Sequence, residues 1–405
     1  IFIIIVTLKN ILYNILMGMG EWKEYKLGEL GTVVTGKTPS SKNPEDWGDD
    51  MFFVTPTDYR NYRKYVDGSE RKLSEIGVKR LANKILPPYS VLVTCIGSDM
   101  GKVVITKDPC ITNQQINSII PNESVDPHFL YYTLINSYDV LRVLGGDGTA
   151  VPIVNKRDFE NIKIEIPSLE EQKRIAFILS SLDDKIDLLY RENKTLEAMA
   201  ETLFNKTLSE KENNGTIEQL ISIQNGYAFK SKDFQERGVN GVIKIKNISG
   251  GVIDINKTDC VGNDIIQGIS SKFKVHTGDI LIAMTGAEIG KLGIIPSTNK
   301  DLWLNQRVGM LVERYPGAKY IAYLQLRSDY GLDYVENTAT GSAQPNISSS
   351  AIENCGFPLL DVSEIKALAY QLEGLYEKII HNLGHINGLK LLRNELSLNL
   401  MNSQV

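Results

Sequence analysis

The chain contains one pattern that is typical of phosphate binding, Gly31-Thr-Val-Val-Thr-Gly-Lys-Thr38. In nucleotide-binding proteins such a loop follows a strand and opens a helix, whose first backbone amides bind the phosphates. Here Pro39 and Pro44 follow at once, and prolines at these positions prevent a helix from continuing after the loop. The segment is therefore predicted to be a turn entering the first domain, and not an ATP site.

Two other patterns are typical of metal or nuclease sites but lack the partners that such sites need. His381 and His385 are four residues apart, as zinc ligands on a helix often are, but the metalloprotease glutamate and a third ligand are missing. The Glu-x-Lys triplets at 171–173 and 364–366 have no upstream Pro-Asp partner, and no Asn-Pro-Pro-Tyr or Asp-Pro-Pro-Tyr for adenine methylation occurs. We therefore predict no catalytic residue, no metal and no cofactor in this chain, with both histidines on an exposed helix face.

A basic segment rich in tyrosine points to nucleic acid. Between Arg60 and Lys84 there are eight Lys or Arg residues and three acidic ones, a local charge of +5 in a chain whose net charge is -5. Tyrosines 59, 62 and 65 are interleaved with these cations. Such a mixture can bind phosphates and pack on sugars or bases, although a solvated loop face has nearly the same composition. The negative total argues against indiscriminate coating of nucleic acid.

The chain repeats itself at an offset of about 190 residues. The matching segments, in the same order in both halves, are 89–94 with 278–283, 101–102 with 290–291, 113–114 with 305–306, 148–152 with 341–345 and 159–161 with 352–354. A repeat of this length is a duplicated domain rather than a solenoid unit. Two equivalent domains imply two equivalent sites.

Each repeat is followed by apolar residues at alternating spacings of four and three, which is the heptad pattern of a coiled coil. The first series is Ile175, Leu179, Leu182, Ile186, Leu189, Asn193, Leu196, Ala200 and Leu203. The second is Leu368, Leu372, Leu375, Ile379, Asn382, Ile386, Leu389, Arg393, Leu396 and Leu400. Two amphipathic helices packed on separate cores are the alternative.

The asparagine in each series predicts how the two helices pair. Asn193 follows a four-residue step and is an a position, whereas Asn382 follows a three-residue step and is a d position. Antiparallel helices pair a with d, so the two side chains can face each other, and a buried Asn pair fixes register at a cost in stability. We predict an antiparallel coiled coil with Asn193 opposite Asn382. Helices of about 35 residues would span roughly 50 Å, enough for two domains one turn of B-DNA apart, roughly 34 Å.

The first 20 residues are apolar and are predicted to lie outside the fold. Met17 and Met19 immediately precede Glu21, where globular patterning begins, so upstream translated sequence is the favoured interpretation. A membrane anchor is the alternative, but the segment is short for a hydrocarbon core of roughly 30 Å. The four scattered cysteines, Cys95, Cys110, Cys260 and Cys355, suit a reduced cytosol and predict a cytoplasmic protein.

Several motifs together resemble the specificity (S) subunits of type I restriction-modification systems. They are the opening 22–31, the stretch 36–40, the junction Ile164-Glu-Ile-Pro-Ser-Leu-Glu-Glu-Gln-Lys-Arg-Ile-Ala176, and the segments 225–231 and 340–348. The resemblance covers about residues 21 to 403, and the Pro-Ser-Leu-Glu-Glu-Gln junction is its most specific part. The second junction, 357–366, departs from the family pattern.

The resemblance implies a mixed α/β (α+β) fold with two target recognition domains related by pseudo-two-fold symmetry. The implied domains are 21–166 and 213–360, and the spacer helices 167–212 and 361–405 would form the antiparallel coil. Each domain would recognise one half of a bipartite sequence in double-stranded DNA. The implied partners are two methyltransferase (M) subunits with S-adenosylmethionine and restriction (R) subunits with ATP and Mg. The chain itself would hold no cofactor and catalyse nothing.

Direct recognition of bases in the major groove needs polar side chains on loops, such as Arg for guanine and Asn or Gln for adenine. The candidates in the first domain are Thr57, Tyr59, Arg60, Arg63, Lys64, Ser98, Asp99 and Lys102. Those in the second are Lys244, Lys246, Asn247, Thr285, Glu288 and Lys291. Asn113, Gln114, Asn305 and Gln306 are interpreted as structural, because domains that recognise different bases should not share the residues that contact them.

Two other functions remain open from the sequence. One is a silent or degenerate scaffold that binds partner subunits through the coil without specific DNA recognition. The other is a nucleotide-dependent enzyme built on residues 31–38. Steeply salt-dependent binding to duplex DNA would distinguish sequence recognition from the scaffold, because phosphate contacts release counterions.

Overall fold

The computed structural model describes residues 21–59, 64–97, 99–146, 152–341 and 345–401. It divides into two compact units: unit 1 comprises residues up to 187 together with those from 389 onward, and unit 2 comprises residues 188–388. The predicted extension 1–20 lies outside the described residues. Among the helices described, none is both long enough and apolar enough to cross a membrane.

Unit 1 is a mixed α/β domain. Its strands are β1 (Lys23–Lys26), β2 (Gly31–Thr35), β3 (Trp47–Val54), β4 (Tyr65–Val66), β5 (Arg71–Leu73), β6 (Val91–Thr94), β7 (Val103–Thr106), β8 (Cys110–Thr112), β9 (Ile116–Pro121) and β10 (Lys163–Ile166). Its shorter helices are α1 (Glu75–Arg80), α2 (Pro127–Asn136), α3 (Tyr138–Leu144) and α4 (Lys156–Glu160). One sheet has the order β2-β9-β6-β7-β4, a second has the order β5-β3-β8, and β1 pairs with β10.

A long helix, α5 (Leu169–Leu208), runs from unit 1 into unit 2. The strands of unit 2 are β11 (Gly215–Thr216), β12 (Ile221–Asn225), β13 (Phe234–Gln235), β14 (Asn240–Ile243), β15 (Ile248–Ser249), β16 (Gly251–Ile253), β17 (Asp259–Val261), β18 (Lys274–Val275), β19 (Ile280–Ala283), β20 (Leu292–Ile294), β21 (Asp301–Leu304), β22 (Val308–Glu313) and β23 (Gly356–Phe357). Its helices are α6 (Asn263–Gln267), α7 (Ala318–Arg327), α8 (Asp329–Thr338) and α9 (Ser349–Glu353), and α10 (Val362–Met401) returns into unit 1.

The strand order confirms the predicted duplication. The order β2-β9-β6-β7-β4 in unit 1 corresponds to β12-β22-β19-β20-β16 in unit 2, where β15 extends the sheet. In the smaller sheets, β3 lies between antiparallel β5 and parallel β8, just as β14 lies between antiparallel β17 and parallel β21. The central strands β6 and β19 are fully buried runs of apolar and β-branched residues, which favour this environment.

The long helices α5 and α10 are antiparallel, as the heptads predict. In unit 1 the start of α5, through Ile175 and Leu179, shares an apolar core with Leu396 at the end of α10. In unit 2 the end of α5, through Ala200, shares a core with Leu372 near the start of α10. Each helix is 40 residues long and lies inside the segment predicted for it.

The asparagine pair lies in the register that the heptads predict. The Nδ2 of Asn382 donates to Oδ1 of Asn193 at 2.9 Å and to Oε2 of Glu192 at 3.0 Å, and both asparagines are buried in unit 2. Nδ2 of Asn193 and Oδ1 of Asn382 have no hydrogen-bond partner among the described residues. The pair therefore fixes the register while leaving one donor and one acceptor unsatisfied, which costs stability.

Replacing both asparagines by leucine is expected to stabilise the chain. The double variant removes two unsatisfied polar atoms, so the free energy of unfolding should rise by about 1 to 3 kcal/mol, measured by guanidinium unfolding of the purified chain. The single variant Asn382→Leu leaves Asn193 without its partner amide and should be less stable than the native chain. A double variant no more stable than the single one would contradict this account.

Candidate nucleic-acid interface

A turn with the same backbone geometry follows β6 in unit 1 and β19 in unit 2. In unit 1, Gly101 donates its N–H to the carbonyl of Thr94 at 2.8 Å and has a φ of +88°. In unit 2, Gly290 donates to the carbonyl of Ala283 at 2.9 Å and has a φ of +81°. Positive φ values favour glycine, so the repeated Gly-Lys dipeptide marks a turn that both domains need. We call residues 97–102 and 286–291 the glycine turns, with residue 98 outside the described part.

Each glycine turn carries a carboxylate and a lysine three residues apart. Lys102 Nζ lies 2.5 Å from Oδ1 of Asp99, and Lys291 forms an ion pair with Glu288. The pair offers both a hydrogen-bond donor for phosphate or guanine and an acceptor for the cytosine amino group. Four predicted candidates therefore lie at equivalent places in the two domains. Arg60, Arg63 and Ser98 lie outside the described residues.

The candidates that follow β3 include one exposed and one buried residue. The Thr57 hydroxyl is exposed and lies 2.8 Å from that of Thr55. Tyr59 is buried, burial raises its pKa well above the usual value, and its hydroxyl has no hydrogen-bond partner in the described part of the chain. Tyr59 is thus a core residue in this structure, and its role as a DNA contact stays a prediction. The carboxylate of Asp58 caps the turn by accepting from the backbone N–H of Thr55 at 2.8 Å.

Lys64 is also buried in this structure, and its role as a DNA contact stays a prediction. Its side chain is only 5% exposed, and Nζ donates to Oγ of Ser180 on α5 at 2.5 Å. The ammonium lies 5.3, 5.9 and 5.3 Å from the ring centres of Tyr65, Tyr131 and Tyr132. Burial lowers the pKa of Lys64 to about 8, against the opposing attraction of nearby aspartates.

In unit 2 the two candidate lysines that follow β14 form ion pairs with the same carboxylate. Lys244 and Lys246 each place Nζ 2.7 Å from a carboxylate oxygen of Asp259, and hydrogen bonds from Lys244 and then Lys246 lower the pKa of that carboxyl. Lys246 is the more exposed of the two, and Lys244 also lies over the ring of Phe234 at 3.4 Å. This cluster presents positive charge next to β14.

Two other candidates of unit 2, Asn247 and Thr285, differ in whether their side-chain polar atoms have hydrogen-bond partners. Asn247 is 1% exposed and caps the turn after β14: its Oδ1 accepts from the N–H of Lys244 at 2.9 Å. Its amide nitrogen donates to the carbonyl of Lys257 at 3.0 Å, so both polar atoms of the side chain have partners here, and its role as a base contact stays a prediction. The buried hydroxyl of Thr285, at the start of the second glycine turn, has no hydrogen-bond partner among the described residues.

The amides shared by both domains make local contacts. Asn113 Oδ1 accepts from the N–H of Gln115 at 3.1 Å, and Gln114 accepts from the Thr38 hydroxyl at 2.7 Å. In unit 2, Asn305 Oδ1 accepts from the N–H of Arg307 at 3.5 Å, which repeats the contact of Asn113, and the backbone N–H of Gln306 donates to Tyr227 at 2.9 Å. These contacts agree with the structural role expected of residues common to both domains.

The nucleotide-binding pattern begins on strand β2, and the histidine pair lies on helix α10. The predicted turn is wrong for residues 31–35, which form strand β2, and chain without a helix or strand follows through residue 40. His381 and His385 are both exposed on α10, with ring centres 4.1 Å apart. Across the described ranges, no group of three or more His, Cys, Asp or Glu residues is arranged to hold a metal ion.

Sequence reasoning missed a polar cluster between the first domain and the long helices. In unit 1, Tyr132 donates to Oδ2 of Asp183 at 2.5 Å, and Arg393 donates to Oδ1 at 2.7 Å. The signal was present in the heptads, because Arg393 is the one charged residue of its series. Its charge requires a partner when the coil forms.

Sequence reasoning also missed two exposed aromatic side chains at equivalent positions of the long helices. Phe177 on α5 is 76% exposed and Tyr370 on α10 is 80% exposed, the two highest values for large hydrophobic residues in the described chain. Each is two residues after a predicted heptad position, Ile175 and Leu368 respectively. Single exposed apolar residues are common, but the repetition at equivalent positions suggests a shared use.

Comparison with known proteins gives the same result for both halves. Residues 19–198 and 210–389 each match the family model described as "Type I restriction modification DNA specificity domain". A similar protein is the specificity subunit of the type I restriction enzyme MjaIX from Methanocaldococcus jannaschii, 26% identical over 93% of this chain and 91% of the relative. The MjaVIII specificity subunit of the same organism is 28% identical over 88% and 86%.

A solved structure has a similar fold. The S subunit of a type I restriction-modification system from M. genitalium superposes with a TM-score of 0.61, at 14% identity, over 96% of this chain and 98% of that chain. At this identity the likeness establishes the fold alone.

Proposed function

The chain belongs to the family of type I restriction modification DNA specificity domains, and we propose on that basis that it is the DNA sequence-recognition subunit of a type I restriction-modification complex. Each domain recognises one half of a bipartite target in double-stranded DNA, and the coiled coil sets the unread gap between the halves. The observation that carries the proposal is the duplication, because two equivalent domains with different loop residues suit a target made of two different halves.

The chain chooses the sequence, and other subunits supply the chemistry. Two methyltransferase subunits bring S-adenosylmethionine, and restriction subunits bring ATP and Mg. The exposed aromatics Phe177 and Tyr370 support this stoichiometry, since equivalent contact residues in the two halves suit two copies of one partner. The chain itself contributes DNA contacts and no catalytic group.

The test is a genome-wide map of methylated adenines. The chain is co-expressed with its methyltransferase subunit, and the control expresses the methyltransferase subunit alone. A new bipartite motif with a fixed gap is expected. A stable complex that adds no methylation would favour the silent scaffold, to which the altered second junction at 357–366 would then draw attention.

Replacing the lysine of one glycine turn is expected to weaken recognition of one half-site only. Lys102→Ala and Lys291→Ala each remove a cation from a single domain, so each should reduce affinity for duplexes that retain only its own half-site. A side chain that contacts a base contributes about 1 to 3 kcal/mol of discrimination, or roughly 5- to 150-fold. Fluorescence anisotropy with duplexes in which either half is scrambled measures both effects. Equal losses on both half-sites from one substitution would contradict separate domains.

A further inference from the structure

We infer that Lys64 is a positioning residue for DNA recognition by the first domain: its ammonium fixes the basic segment, at the start of strand β4, to helix α5. The inference rests on the proposed function and concerns unit 1 alone. Lys64 is the last residue before the two-residue edge strand β4, and its carbonyl accepts from the N–H of Ile105 at 2.8 Å. Its immediate neighbour in the sequence is Arg63, one of the predicted DNA contacts.

The side chain of Lys64 adds contacts that hold the short strand β4 in place. Strand β4 pairs with β7 over two residues only, which is a weak constraint on the chain that enters it. The ammonium adds a hydrogen bond to Ser180 and lies among three tyrosine rings, contacts that reach α5 and α2. A charge-assisted hydrogen bond and cation–π contacts are strongest when shielded from water, as here.

Unit 2 provides an internal comparison. The register of β16 on β20 places Gly251 where β4 on β7 places Lys64, and a Cβ at Gly251 would lie 3.4 Å from the Tyr323 hydroxyl. The cation near that tyrosine is instead Arg327 on α7, whose Nη1 donates to the hydroxyl at 2.9 Å. In unit 2 this strand also pairs with β15 and is not an edge, so the lysine contact belongs to the domain in which the strand forms the edge of its sheet.

The charge of Lys64 can be changed by pH as well as by substitution. The groups that face it are Tyr65 on its own strand, Asp126, His128, Tyr131 and Tyr132 at and in α2, and Asp183 and Asp184 on α5, with Arg393 bound to Asp183. Burial lowers the pKa of Lys64 to about 8 and also lowers the pKa of His128. It raises the pKa of Tyr65 to about 12 and raises the pKa values of Tyr131 and Tyr132 further. Lys64 is thus charged at pH 7 and mostly neutral at pH 9, while the tyrosine and histidine titrations lie outside this interval.

The experiment measures half-site discrimination by the native chain in complex with its methyltransferase subunits. The probes are a duplex with the methylated bipartite sequence and two duplexes with one half scrambled, and the half-site affected by Lys102→Ala identifies the first domain. Between pH 7 and pH 9 discrimination for that half-site should fall about tenfold, the size of a lost charge-assisted contact. Discrimination for the other half-site should stay constant.

Two substitutions separate positioning from folding. Lys64→Met keeps the apolar stem and should give the low discrimination at pH 7 with no further pH dependence. Ser180→Ala removes only the hydrogen-bond acceptor and should shift discrimination in the same direction. The matched control is Lys107→Met, because Lys107 is exposed and lies 4.6 Å from the same Tyr65 ring.

Three results would overturn the inference: a native profile that is flat from pH 7 to 9, equal pH effects on both half-sites, or a Lys64→Met chain that keeps the native pH dependence. If the native complex discriminates neither half-site at any pH, the proposed function fails instead. The two failures are therefore distinguishable.

Discussion

A chain with both Phe177→Ala and Tyr370→Ala is expected to lose its methyltransferase subunits. Both side chains are exposed in the isolated chain, so their removal should leave its stability within about 0.5 kcal/mol of native. Aromatic residues at the centre of an interface typically contribute 2 kcal/mol or more each. The double substitution should therefore weaken the binding of each methyltransferase copy by roughly 30-fold or more, and adenine methylation should fall with it.

The single variants make this prediction sharper. Phe177 belongs to unit 1 and Tyr370 to unit 2, so each single alanine should remove one of two methyltransferase copies. Native mass spectrometry of the co-expressed complex measures the stoichiometry directly. The matched control is Leu391→Ala with Leu398→Ala: both leucines are exposed on α10, but their counterparts on α5 are Ala198 and Asn205, so the pattern is not repeated. A double alanine variant that still binds two copies would remove these residues from the interface.

The coiled coil was predictable from the sequence because its contacts follow a period along one chain. The alternation of four and three residues marks the buried stripe of each helix, and the different heptad classes of Asn193 and Asn382 decide between parallel and antiparallel pairing. The hydrogen bond between their amides has the predicted partners. The duplication was equally visible, since the Gly-Lys dipeptides mark turns that need positive φ.

The burial of individual candidates was not predictable, because it depends on contacts between segments distant in sequence. Lys64 and Ser180 are 116 residues apart, and nothing near Lys64 in the sequence indicates that three tyrosines enclose it. Asn247 lies next to Lys244 and Lys246, and lysine is usually exposed. Its own side chain is nevertheless buried, and its amide oxygen caps the turn by accepting from the N–H of Lys244. A local signal existed at Asp58, where Thr55-Pro-Thr-Asp58 has the spacing of a capping box.

Removing one heptad from each long helix is expected to shorten the unread gap in the DNA target. The deletion must be matched, because in an antiparallel coil each residue of α5 has one opposite position on α10. With Asn193 opposite Asn382, residues 184–190 lie opposite residues 385–391. Deleting both segments keeps Asp183 with Arg393 in unit 1 and the asparagine pair in unit 2.

Seven residues shorten each helix by about 10 Å, close to the length of three base pairs of B-DNA. Seven residues also rotate a helix by about 20° less than two full turns, so deleting them nearly preserves the buried faces of both helices. The methylation map of the doubly deleted chain should show both half-sites intact and a gap shorter by about three base pairs. Its yield should be lower, since three base pairs also rotate one half-site by roughly 100° relative to the other.

The control deletes 184–190 alone, which displaces Asn193 by one heptad from Asn382 and places apolar layers opposite both amides. That chain should be less stable than the doubly deleted one, because each buried amide then lacks its partner. If the matched deletion methylates the original target with its original gap, the helices do not set the spacing. The gap would then be determined by the loops of the two domains or by the partner subunits, and the length of the coil would serve assembly alone.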